Sequence, residues 1–62
     1  MIDLQNQLIA EAIKTYGQIF PCGEKTDLSD CFTYEKELGK LIFWFNVAGD
    51  NSTRALILPI NS

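Results

Sequence analysis

The sequence predicts an α+β domain in which an N-terminal helix packs on a three-stranded antiparallel β-meander, in the order α-β-β-β. Three observations carry this expectation: apolar residues at three- and four-residue spacing over residues 3–16, three later segments with strand-like apolar patterning, and two short turn-rich connections between them. The 62 residues read as one domain, 1–62, close to the lower size limit for a chain that folds without metals, disulfides or partners.

The helix follows from Leu4, Leu8, Ile9, Ala12, Ile13 and Tyr16, which form one stripe while Gln5, Asn6, Gln7, Glu11, Lys14 and Thr15 lie opposite. Asp3 suits the N-cap, because its carboxylate accepts from first-turn N–H groups and sits at the positive end of the helix dipole. Gly17 is the expected stop, with Ile19 and Phe20 continuing the stripe for a short turn until Pro21. Residues 21–30 then read as a loop, in which residues 26–30 hold one helical turn capped by Thr26 or Asp27, with Leu28 turned inward.

The strands come next. Residues 31–35 alternate, with Phe32 and Tyr34 on one face. Leu38-Gly39 supplies a turn, and residues 40–47 form a dense apolar strand. Residues 48–52, Ala-Gly-Asp-Asn-Ser, supply a second turn, and residues 53–60 the last strand, where Pro59 suits an edge or an end because it has no N–H for a ladder.

The run Leu41-Ile42-Phe43-Trp44-Phe45-Asn46-Val47 is too apolar for one covered face. Period-two counting sends Leu41, Phe43, Phe45 and Val47 to the helix side, to join Phe32, Tyr34, Leu56, Leu58 and Ile60. It leaves Ile42, Trp44 and Ile57 on the other face beside Thr33, Glu35 and Ala55. An exposed patch of a few hundred Å² there is of the size that marks association sites. The competing expectation is that Lys40, Glu35 and the C-terminal Asn61-Ser62 fold over Trp44 and leave a monomer.

Composition excludes several function classes. An apolar fraction of 47% with 21% charged residues is ordinary for a globular chain, and no apolar run approaches the roughly 20 residues of a membrane span. Met1-Ile2-Asp3-Leu4-Gln5 lacks the basic and apolar regions of a secretory signal, so the expected location is cytoplasmic, with Cys22 and Cys31 as reduced thiols. A disulfide closing that short loop would contribute about 2–3 kcal/mol. With Asp and Glu outnumbering Lys and Arg by eight to five, and the cations Lys14, Lys25, Lys36, Lys40 and Arg54 scattered, direct nucleic-acid binding is not expected. Glu24, Asp27, Asp30, Glu35 and Glu37 form an acidic stretch that reads first as a solvated loop.

No motif carries chemistry. There is no His, and two cysteines with eight residues between them match no zinc or redox spacing, so neither metal nor cofactor is expected. Glu35 and Glu37 sit at a turn without the cleft that would separate their pKa values, and Ser29, Ser52 and Ser62 have no base partner. Asp50-Asn51-Ser52-Thr53 lacks most ligands of a calcium loop and reads as a hairpin turn. The expectation is a non-enzymatic interaction module, a homodimer or a binder of another protein, whose interface residues are Ile42, Trp44 and Ile57, with residues 53–59 offering an edge for strand addition. The alternative is an acidic regulator that occupies a basic groove on a nucleic-acid-associated protein.

Overall fold

The computed structural model describes residues 3–60, and among them one helix and a four-stranded antiparallel sheet form an α+β domain. The helix α1 spans Leu4–Tyr16, and Asp3 caps it by accepting a 2.9 Å hydrogen bond from the Gln5 N–H. Gly17, at φ 85°, closes it by donating its N–H to the Ile13 carbonyl at 2.8 Å.

The strands are β1 (Ile19–Pro21), β2 (Phe32–Glu35), β3 (Lys40–Val47) and β4 (Thr53–Pro59), with a single 3₁₀ turn at Leu28–Asp30. All three other strands pair with β3. On one side β4 runs along it from Asn46↔Thr53 to Lys40↔Pro59. On the other side β1 pairs through Ile19↔Val47 to Pro21↔Phe45, and β2 through Phe32↔Phe43 to Glu35↔Lys40. Strands β1 and β2 therefore lie end to end along the same flank of β3, so four strands make a sheet three strands wide.

The expected three-stranded meander is thus corrected. Strands β2, β3 and β4 are joined by the two expected hairpins, but Ile19, Phe20 and Pro21 form an additional strand where a helical turn was expected. Pro21 is tolerated because this flank is the sheet's edge, where a missing N–H leaves no ladder partner wanting. Residues 22–31 swing away from that edge and return. The ladder continues across the gap, since the Trp44 N–H donates to the Cys31 carbonyl at 2.8 Å. The 3₁₀ turn in this excursion is capped by Asp27, which accepts from Ser29 N–H at 3.0 Å, and Leu28 packs inward against the core.

The core lies between α1 and the odd-numbered face of β3. Leu8, Ala12, Cys31, Leu41, Phe43 and Phe45 are buried, with Ile9, Tyr16, Phe32, Val47, Leu56, Leu58 and Ile60 packed around them. Phe43 stacks on Phe32 at 4.6 Å between centroids and on Phe45 at 5.1 Å, while Tyr16 meets Phe45 at 5.4 Å in a tilted arrangement. Two expected core members lie outside it. Tyr34 shares the inner face, being opposite Leu41, yet is 57% exposed because it stands towards the end of the sheet away from the main aromatic stack. Ile13 is exposed because each helical residue advances about 100°, which puts it about 140° round from Leu8.

Candidate association surface

With α1 on the odd-numbered face of β3, the even-numbered face looks outward. Paired residues share a face, so register assembles this surface row by row: Phe20, Asn46 and Thr53, then Trp44 and Ala55, then Thr33, Ile42 and Ile57, then Glu35, Lys40 and Pro59. No helix or strand among the described residues covers it.

The structure brings Ile42, Trp44 and Ile57 together on this face, as the alternation expected, but exposes them unequally. Ile57 is 54% exposed and Trp44 38%, whereas Ile42 retains 9%. The indole explains the difference. Its Nε1–H donates to Thr33 Oγ1 at 3.1 Å, and Thr33 stands directly across from Ile42, so the ring leans over the diagonal that would otherwise leave Ile42 open. Ile42 is therefore not itself an accessible contact.

Phe20, 45% exposed, belongs to the same face through its pairing with Asn46 and was missed in the sequence. Only the existence of β1 puts it there, and three residues ending in Pro carry no readable period. Around these apolar groups the rim is polar: Thr53 Oγ1–H donates to Asn46 Oδ1 at 3.0 Å at one end, and Glu35 stands opposite Lys40 at the other. An apolar centre with a polar rim is the ordinary anatomy of an interface. The expected covering of Trp44 by Asn61-Ser62 lies outside the described residues.

The β3–β4 turn closes one end of the domain. Asp50 Oδ1 accepts from Ser52 N–H at 2.9 Å, and its Oδ2 accepts from Arg54 Nη2 at 2.6 Å. The Ser52 N–H, followed by the Arg54 guanidinium, holds the Asp50 carboxyl below its usual pKa, and Asp50 in turn raises that of Arg54. The Arg54 guanidinium also stands 5.2 Å from the Tyr16 ring centre, tying this turn to the C-terminal end of α1.

Cys22 and Cys31, free thiols, stand at the neck of the 22–31 excursion, where Cys22 N–H donates to Cys31 Sγ at 3.3 Å and the Cys31 thiol faces the Asp27 carbonyl at 3.7 Å. Burial pushes the Cys31 thiol up from its ordinary pKa. Among the described residues no three His, Cys, Asp or Glu side chains converge as a metal site requires, and no helix is long and apolar enough to cross a membrane. Against known proteins, no family model, curated protein or solved structure matches this chain.

Proposed function

We propose that this chain is a non-enzymatic interaction module that self-associates through the outer face of its sheet, with Trp44 at the centre and Phe20 and Ile57 beside it. The observation that carries the reading is the placement of those three partly exposed side chains on the one sheet face that the helix does not cover. A second copy is the partner the surface fits best. Trp44 lies on the central strand, so a two-fold axis near it sets apolar centre against apolar centre and rim against rim.

Area sets the strength. Taking the fractional exposures with roughly 200 Å² for each side chain, Phe20, Trp44 and Ile57 offer on the order of 300 Å² per copy. Burying about 600 Å² in a pair is worth roughly 15 kcal/mol at 25 cal/mol/Å². Association itself costs about 4–15 kcal/mol, so a pair held by a few kcal/mol forms only in about the millimolar range. Sedimentation velocity over a concentration series tests this: the weight-average mass should rise with concentration for the native chain and stay monomeric for Ile57→Lys, whose exposed site tolerates the charge. A native chain that remains a monomer at millimolar concentration would sink the proposal.

The acidic-regulator alternative rests on the same stretch of carboxylates, of which Asp27 is already engaged in capping its own turn. That reading calls for capture of a basic protein that is lost with added salt and insensitive to Ile57→Lys.

A further inference from the structure

We propose that Cys22 and Cys31 form a reversible dithiol–disulfide site that clamps the neck of the 22–31 excursion. Cys22 directly follows β1 and Cys31 directly precedes β2, so the bond would weld two collinear strands into one continuous edge along β3.

The geometry supports closure. The Cys31 sulfur is 3.3 Å from the Cys22 nitrogen, and one N–Cα bond of about 1.46 Å then puts the Cys22 Cα within about 4.8 Å of that sulfur. The backbone on either side is already held, by Trp44 N–H on the Cys31 carbonyl at 2.8 Å and by Lys25 N–H on the Cys22 carbonyl at 3.1 Å. Burial pushes the Cys31 thiol up, and the Cys22 backbone N–H on its sulfur, which favours the thiolate, offsets part of that push.

Exposure divides the labour between the two sulfurs. Cys22 is partly exposed and Cys31 is buried, so an external oxidant meets Cys22 first. With a low-molecular-weight disulfide as oxidant, the Cys22 thiolate attacks one reagent sulfur, breaks the reagent's S–S bond and releases one thiolate. Cys31 then gives up its proton, attacks the Cys22 sulfur and releases the second thiolate. Two protein thiols are oxidised, one reagent disulfide is reduced to two thiols, and the two protons pass to the departing thiolates.

The test uses the full chain equilibrated in glutathione buffers of increasing oxidised-to-reduced ratio, quenched with acid. The expected product is a monomer lighter by two hydrogens whose non-reduced tryptic digest joins peptide 15–25 to peptide 26–36, since Lys25 lies between the cysteines. For a closed loop of about 10 residues the thermal midpoint of the oxidised form should stand roughly 10–20 °C above that of the reduced form. Cys31→Ala should accumulate glutathione on Cys22, while Cys22→Ser should stay unmodified. A chain that remains a dithiol at every ratio, cross-links only between copies, or melts earlier when oxidised overturns the clamp. The reverse pattern in the two variants overturns the assigned roles.

Discussion

Phe43→Leu separates the core from residues that merely share its face. Phe43 is fully buried and stacks on Phe32 at 4.6 Å and on Phe45 at 5.1 Å, at the junction of β2, β3 and β4. Removing ring atoms there forfeits transfer free energy and two aromatic contacts and leaves a void, together about 1–2 kcal/mol, against about 3–5 for truncation to Ala. A chain of 62 residues has only about 3–9 kcal/mol of stability to lose, so the alanine variant would give up a third or more of it and the leucine variant is the informative one. At roughly 4–8 °C per kcal/mol, its thermal midpoint by circular dichroism should fall by about 5–15 °C. Tyr34→Leu is the control, since Tyr34 stands on the same face but is 57% exposed, and it should move the midpoint by no more than a few degrees. Equal losses for the two variants would refute the placement of the core around Phe43 and away from Tyr34.

Gly39, at φ 64° in the β2–β3 turn, would bring an added Cβ to 3.1 Å from the Ile60 carbonyl oxygen, so Gly39→Ala should cost about 1–3 kcal/mol in urea unfolding, and an unchanged midpoint would contradict the turn geometry. Asp50 titrates below its usual value in the folded chain, so it contributes stability that is present above its unfolded pKa and lost as pH falls through the folded one. Carboxyl carbon chemical shifts should place its midpoint below that of an ordinary Asp, and Arg54→Gln should restore it only in part, because the Ser52 N–H is the larger cause. Full restoration, or none, would show that the shares are misassigned.

Much of this architecture was legible where periodicity had length to express itself. Thirteen helical residues and the eight of β3 each repeat their pattern enough times to fix a face, which is why Leu8 and Ala12, and the odd residues of β3, lie where spacing puts them. The two hairpins were legible because Gly39 and the 48–52 turn carry residues with a conformational reason to be there. Strand β1 was not, since Ile19, Phe20 and Pro21 complete no period and the proline points first to a break. The place of Phe20 on the outer face depends on β1 and was hidden with it, whereas the nearness of Cys22 to Cys31 was open to reading from the short loop between them. The screening of Ile42 was hidden for another reason, being set by one side-chain hydrogen bond from Trp44 to Thr33.

The end-to-end arrangement of β1 and β2 along one flank of β3 has a consequence for how the domain opens. Among the described strands every pairing includes β3, so β1, β2 or β4 can each detach while the remaining two pairings persist. Release of β3 leaves no ladder at all. Partial unfolding of the sheet can therefore begin as three separate peripheral events of different size, from three residues at β1 to seven at β4, each exposing only the β3 amides that face the departing strand. A covalent link at the neck would merge the two smallest of those events into one, since β1 could no longer leave without straining the hold of β2.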